Sequence, residues 1–148
     1  MATIDRTATA VWKGDLAAGS GMISFNSGAF KNSPVTWASR TESSDGKTSP
    51  EELIAAAHAS CYAMAFSHTL TEAGHKPDSL DVVATVSLEP KDGGGFEVTA
   101  SRLTVRGRVP SLSRDEFASI ADEAEKGCPV SNALRGNVTI TVDATLEG

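Results

Sequence analysis

The two cysteines of the chain, Cys61 and Cys128, are the residues best suited to do chemistry. They do not form the closely spaced CxxC pair that is typical of metal sites and redox motifs. In a reducing compartment, cysteines are more often catalytic, redox-active or metal-binding than joined in a structural disulfide. A free cysteine is also often only a small buried apolar residue. The number of cysteines therefore leaves a reactive and a structural interpretation open.

The two cysteines differ in their predicted surroundings. Cys61 is expected in the middle of a long helix, where its thiol gains nothing from the helix N-terminus and needs a nearby cation to become a thiolate. Cys128 stands between Gly127 and Pro129, at a predicted helix N-cap where unpaired backbone N–H groups favour a thiolate. One fixed thiol and one thiol on a movable turn fit a redox pair, because the second thiol must reach the oxidised first one.

Two other interpretations of Cys61 involve histidines on the same helical face. His58, three residues earlier, would serve Cys61 as a general base in an acyl-transfer enzyme. We favour an interior or interface histidine, because the local sequence supplies no third group to orient the ring. A metal site of Cys61, His58 and His68 is disfavoured because the residues between them include no carboxylate. A non-enzymatic dimeric stress protein with inert cysteines is a further alternative.

The helix that carries Cys61 has the strongest local signals. Residues 49–52 combine an N-cap serine, a proline at the first helical position and a glutamate three residues after the cap, which predicts a helix start. The helix should run to about Ala73 and stop at Gly74. It is nearly uncharged over residues 53–71, and a helix that is apolar on most sides is normally buried. We therefore expect it to be central or to be covered by a partner subunit.

The order of the remaining elements predicts an α+β fold with antiparallel sheets, rather than a βαβ parallel fold. These elements are an antiparallel meander within residues 1–40 whose third strand covers 35–38, a hairpin of 80–88 and 96–109, a helix from Ser113 to about Lys126, a short helix over 130–134 and a strand over 137–146. The length of 148 residues predicts a single domain, 1–148.

Composition and charge exclude several classes of partner. With 13 Lys and Arg against 19 Asp and Glu, the formal net charge is -6. Nucleic acid is disfavoured, because its affinity comes largely from Lys and Arg that neutralise phosphates. No apolar run approaches the roughly 20 residues that span a bilayer, so no membrane association is expected. The first residues lack the basic stretch and apolar run of a signal peptide, which favours a cytoplasmic location.

Two motifs carry a resemblance to a known family. The segment Ser49–Cys61, SPEELIAAAHASC, resembles the signature helix of the OsmC/Ohr family (osmotically inducible protein C and organic hydroperoxide resistance protein), and Gly127–Ser131, GCPVS, is similar to its second cysteine motif. The resemblance covers the whole chain, including the end of the first strand at Val11–Asp15. It implies a thiol peroxidase that reduces organic hydroperoxides and hydrogen peroxide. It also implies an α+β fold and an intertwined homodimer with two active sites at the interface.

The resemblance also implies roles for four residues. Cys61 matches the peroxidatic cysteine and Cys128 the resolving cysteine, while Glu51 and Arg40 match a glutamate and an arginine of the site. Arg40 would supply the cation that Cys61 lacks, and Glu51 would hold the guanidinium through a bidentate pair. The Cys61–Cys128 disulfide would then be reduced by an external dithiol, on a protein or a small molecule, and dihydrolipoyl groups are the family's reductant class. No metal, haem or flavin is implied.

The position of the arginine assigns the chain to the osmotically inducible branch of the family. In the other branch the arginine comes near the end of the first strand, where this chain has Lys13 and Gly14. One departure is Thr41, which follows Arg40 where an aromatic residue is common in that branch. This departure predicts a differently shaped peroxide pocket.

Helix geometry constrains how the four residues meet. Glu51 precedes Cys61 by ten residues, which is about 15 Å along a helix axis. The resemblance implies that Arg40 contacts both Glu51 and Cys61, but one guanidinium cannot reach both ends of that separation. We therefore expect two antiparallel helices in the dimer, with Glu51 and Arg40 of one subunit beside Cys61 of the other.

Overall fold

The computed structural model describes residues 2–148. Its contacts divide the chain into two units, one ending at Leu53 and one running from Ile54 to Gly148. Helix α2, Pro50–Glu72, begins in the first unit and continues into the second. The expectation of a single domain over residues 1–148 stays a prediction.

The first unit contains the predicted antiparallel meander. Its strands are β1 (Ala8–Lys13), β2 (Ser20–Phe25) and β3 (Ser33–Val35), paired in the order β1-β2-β3. Both pairings are antiparallel, with Val11 opposite Met22 between β1 and β2. The meander leads directly into the segment that holds Arg40.

The third strand covers Ser33–Val35 and not the predicted 35–38, and residues 37 and 38 belong to a helix. Helix α1 covers Trp37–Thr41 and begins at a capping box. The Thr36 hydroxyl accepts from the Ser39 N–H at 3.0 Å, and the Ser39 hydroxyl accepts from the Thr36 N–H at 2.9 Å. This box uses a serine where glutamate or glutamine is usual, so the sequence signal is weak. The prediction of an extended Trp37 and Ala38 is wrong for this reason.

Helix α2 begins and ends where the sequence predicts. The Ser49 hydroxyl accepts from the Glu52 N–H at 3.1 Å, as an N-cap does. At the other end, Gly74 has a φ of 89°. The N–H of His75 donates to the Leu70 carbonyl at 2.8 Å, which satisfies a carbonyl of the last turn.

The second unit holds a mixed sheet. Its strands are β4 (Ser79–Pro90), β5 (Phe96–Arg108) and β6 (Thr139–Leu146), in the order β4-β5-β6. The predicted hairpin of β4 and β5 is antiparallel, as expected, but β6 runs parallel to β5. The expectation of antiparallel sheets is therefore wrong for this pair. Two helices, α3 (Arg114–Gly127) and α4 (Pro129–Leu134), make the crossover that a parallel pair needs.

The core of the second unit lies among α2, β5 and α3. It comprises Tyr62, Phe66 and Leu70 of α2, Leu103 and Val105 of β5, and Phe117, Ala121 and Ala124 of α3, with Val109 and Cys128. The rings of Phe66 and Phe117 lie 5.0 Å apart. The buried residues of α2 recur every fourth position, so one face of the helix points into the core.

The opposite face of α2 lies open in the single chain. Ala56, Ala57, Ser60 and Met64 are exposed, and Met64 keeps 69% of its surface. The prediction of a buried helix thus holds on one side, and a partner subunit over the other side stays a prediction. Over residues 2–148, no helix is long and apolar enough to cross a membrane.

Candidate active site

The two cysteines come together at the contact between α2 and α4. Cys61 lies half-buried on α2, and Cys128 is fully buried at the N-cap of α4. Both thiols are free, and the Cys128 side chain lies close enough to the Cys61 thiol to raise its pKa. Residues far apart in sequence thus become neighbours, as a disulfide between them would require.

The surroundings of Cys61 act on its pKa in opposite directions. Burial raises the pKa of the Cys61 thiol, because it penalises the thiolate. A hydrogen bond from the Val130 N–H, near the start of α4, lowers that pKa, and the neighbouring Cys128 thiol raises it. The sequence predicts that the unpaired N–H groups at the start of α4 act on Cys128. In the structure one of them, the N–H of Val130, donates to Cys61 instead. The only sequence signal for this contact is the start of α4 at Pro129.

Cys128 stands at the predicted helix start. It is the N-cap of α4, with Pro129 at the first helical position, and its side chain makes no cap hydrogen bond. Its N–H donates to the Glu125 carbonyl at 3.3 Å. The sulfur is therefore not engaged in capping its own helix. The expected mobility of this turn stays a prediction.

Arg40 and Glu51 form an ion pair within the first unit. Arg40 Nη2 donates to Glu51 Oε1 at 2.8 Å, and Arg40 Nε lies 3.1 and 3.2 Å from the two carboxylate oxygens. The guanidinium also lies over the Trp37 ring, 5.8 Å from its centroid. The Ser39 hydroxyl donates to the Thr48 carbonyl at 3.2 Å, which ties α1 to the segment before α2. The expected pair is present, and the catalytic role of both residues stays a prediction.

His58 is engaged at both ring nitrogens. Its Nδ1 lies 2.6 Å from the Ser101 hydroxyl and its Nε2 2.7 Å from the Ser131 hydroxyl. The ring is fully buried, and burial lowers its pKa, although the charge of Glu125 acts to raise it. A general base for Cys61 needs a ring nitrogen directed at the sulfur. The structure therefore favours the interior histidine over the acyl-transfer dyad.

The residues proposed for a metal site do not share an environment. His68 is exposed, whereas His58 is fully buried. Among the residues that the structure describes, no three His, Cys, Asp or Glu side chains are arranged to hold a metal ion.

Sequence reasoning missed the two serines that bind His58. Ser101 and Ser131 are both fully buried. Ser101 lies on the inward row of β5 that also contains Leu103 and Val105. A serine in an otherwise apolar row was the available signal, because a buried hydroxyl requires a hydrogen-bond partner.

Comparisons with known proteins place the chain among proteins of one family. The family model described as OsmC-like protein matches residues 43–143. Peroxiredoxin OsmC of Escherichia coli (strain K12) is 41% identical over 138 residues, covering 93% of this chain and 95% of that protein. An organic hydroperoxide resistance protein of Xanthomonas axonopodis pv. citri (strain 306) is 32% identical over 100 residues, covering 64% and 65%. The crystal structure of the organic hydroperoxide resistance protein OhrB of Bacillus subtilis is similar with a TM-score of 0.75 and 27% identity, covering 94% and 98%.

Proposed function

This chain belongs to the family of OsmC-like proteins, and from that membership we propose that it reduces organic hydroperoxides and hydrogen peroxide through Cys61 and Cys128. Its relatives include a peroxiredoxin and organic hydroperoxide resistance proteins. The chain is accordingly a peroxidase-type enzyme. The observation that carries the proposed mechanism is the contact of the two free thiols at α2 and α4.

The proposed reaction begins at Cys61. Its thiolate attacks one oxygen of the hydroperoxide, so that an S–O bond forms and the O–O bond breaks. The sulfur is oxidised by two electrons to a sulfenic acid, and the alkoxide leaves and takes up a proton to become the alcohol. Burial raises the pKa of Cys61, so the thiolate needs a positive charge or hydrogen-bond donors around it.

Arg40 is proposed to supply that charge from the partner subunit. Glu51 holds the guanidinium, and Glu51 and Cys61 are ten residues apart on α2, which is about 15 Å along the axis. A second copy with its α2 antiparallel to the first brings an Arg40–Glu51 pair to Cys61. The resulting homodimer has two active sites at its interface, and a cation there stabilises both the thiolate and the leaving alkoxide.

Cys128 is proposed to complete the oxidation. Its sulfur attacks the sulfenic sulfur of Cys61, so that an S–S bond forms, the S–O bond breaks and water leaves. An external dithiol of the dihydrolipoyl class, on a protein or a small molecule, then exchanges with the disulfide and returns both thiols. We propose that this cycle runs in the cytoplasm, without a bound cofactor.

Thiol titration tests the proposal directly. We expect the reduced wild type to lose two thiols per chain after one equivalent of cumene hydroperoxide. Cys61→Ser should lose none. Cys128→Ser should lose one and then stall or over-oxidise at Cys61, because no resolving thiol is present. Steady turnover of Cys128→Ser with a dithiol donor would refute the assigned roles, and intact thiols in the wild type would refute the peroxidase mechanism.

A further inference from the structure

Two side-chain contacts join α2 to α4, one helical turn apart on each helix. The first is the contact of Cys61 with Cys128. The second is the hydrogen bond of His58 Nε2 with the Ser131 hydroxyl, at 2.7 Å. His58 precedes Cys61 by three residues, and Ser131 follows Cys128 by three. Because residues three apart lie on the same side of a helix, the second contact runs alongside the first.

We infer that His58 is a positioning residue for disulfide formation, which holds α4 through Ser131 so that Cys128 faces Cys61. This inference rests on the proposed function. The mechanism above does not use His58, although the side chain is fully buried and polar. Its bond to Ser131 fixes the register of α4 along α2, and the register decides how the two sulfurs approach each other.

The His58 ring is fixed from a second side. Its Nδ1 lies 2.6 Å from the Ser101 hydroxyl of β5, a strand in the centre of the second sheet. A neutral imidazole has one N–H and one bare nitrogen, so one serine accepts a hydrogen bond from the ring and the other donates one to it. The ring therefore links α4 to β5 as well as to α2, so that the sheet also constrains where α4 lies.

A second polar anchor holds the far end of α4, but it is more exposed. Arg135 Nη2 lies 3.0 Å from Glu125 Oε1, and the arginine side chain is 47% exposed. Ion pairs in contact with water are weakened by solvent. The bond of His58 to Ser131 is fully buried, where the loss of one partner leaves the other polar group unsatisfied. The buried contact is therefore the one that we expect to control the position of Cys128.

The affected step is the attack of the Cys128 sulfur on the Cys61 sulfenic acid, in which the S–S bond forms and hydroxide leaves as water. This step depends on how closely the two sulfurs are aligned. Oxidation of Cys61 by the hydroperoxide does not use the Cys128 sulfur. Loss of the His58–Ser131 contact should therefore slow the second step more than the first, so that the sulfenic acid accumulates.

Ser131→Ala tests the inference, with Tyr62→Phe as the matched control. Tyr62 also lies on α2, and its fully buried hydroxyl donates to the Ala121 carbonyl of α3 at 2.8 Å. The control thus removes one buried hydrogen bond from the same helix, but this bond ends on α3 and not on α4. Each protein is reduced, mixed with one equivalent of cumene hydroperoxide, and followed by thiol loss and by dimedone capture of the sulfenic acid.

We expect Ser131→Ala to form the disulfide about tenfold more slowly than the wild type and to accumulate the dimedone adduct of Cys61. Tyr62→Phe should form it at the wild-type rate. Equal disulfide rates in Ser131→Ala and the wild type, or equal slowing in Tyr62→Phe, would overturn the inference. If Ser131→Ala does not fold, Ser101→Ala releases the same ring from β5 and is judged by the same outcomes. A wild type that loses no thiols would instead refute the proposed function, so the two failures are distinguishable.

Discussion

The Glu51 carboxylate is closely held by its neighbours. It is only 7% exposed, and both of its oxygens face Arg40. The adjacent Glu52 is exposed and accepts from the Thr48 hydroxyl at 2.8 Å. The two neighbouring glutamates therefore make a matched pair for testing whether the direction of the guanidinium matters.

We predict that Glu51→Gln slows the reaction with cumene hydroperoxide about 10- to 100-fold, since a charge-assisted hydrogen bond is worth roughly 1.5–3 kcal/mol. Glu52→Gln should react at nearly the wild-type rate. The second-order rate constant of Cys61 oxidation is the measurement. A similar loss in both variants would contradict a specific role for the Arg40–Glu51 pair.

His58 also gives the fold a predicted dependence on pH. Burial lowers its pKa, with an opposing effect from Glu125, which is itself paired with Arg135. The unfolded chain therefore binds a proton at His58 near pH 6.5, while the folded chain binds it only at lower pH. The stabilising contribution is complete above about pH 6.5 and is lost as the pH falls from there through the folded pKa.

We expect the free energy of unfolding in urea to fall between about pH 7.5 and about pH 5.5, and His58→Gln to reduce that slope. His68→Gln, which changes an exposed histidine of the same helix, is the control and should keep the wild-type slope. An unchanged slope in His58→Gln would mean that other groups titrate in this range.

Among the elements, β5 receives a side chain of α3 at Gly107, where the strand has no side chain of its own. A Cβ atom at this position would lie 2.6 Å from Cζ of Phe117 and 3.1 Å from a methyl carbon of Leu80. Phe117 is fully buried, so its ring has little room to move. The glycine is therefore needed for the packing of the helix on the sheet.

We predict that Gly107→Ala lowers the free energy of unfolding by about 1–3 kcal/mol, because an overpacked core must shift. Gly127→Ala is the control, since its Cβ would meet nothing within 4 Å, and a glycine-to-alanine change on a helix is neutral or slightly stabilising. Denaturant unfolding followed by circular dichroism measures both. Equal stability of Gly107→Ala and the wild type would contradict the close packing.

For the whole molecule, the open face of α2 is the feature that predicts a homodimer. Ala56, Ala57 and Met64 expose apolar surface along a helix whose other side is buried in the core. Small side chains allow a second helix to approach closely. We expect a dimer in sedimentation at micromolar concentration, and a monomer there would contradict this assembly.

Mixed dimers of Cys61→Ser and Arg40→Ala chains test whether a site draws on both subunits. If Arg40 acts on the partner's thiol, one site of the mixed dimer carries both changes and the other is intact, so peroxidase activity should return to about half of the wild-type value per dimer. If Arg40 acts within its own chain, each site carries one change. An absence of recovery on mixing would therefore contradict the shared site.

The features that could be predicted from the amino-acid sequence are those that depend on local interactions. The start and end of α2 follow from Ser49 and Gly74, because caps act within one helical turn. The alternating pattern predicted the hairpin of β4 and β5, and the two cysteine motifs pointed to the thiol pair. Helix α1 was missed although it is local, because its capping box uses Ser39.

The features that join distant residues could not be predicted, because they depend on how the helices and strands pack. The parallel pairing of β6 with β5 depends on how α3 and α4 cross the sheet, and hydrophobic alternation is the same for either strand direction. The partners of His58 are 43 and 73 residues away in sequence. The Val130 N–H reaches Cys61 only because α4 packs beside α2. Local patterns specify which groups a chain carries, but their contacts across the core depend on the packing of whole elements.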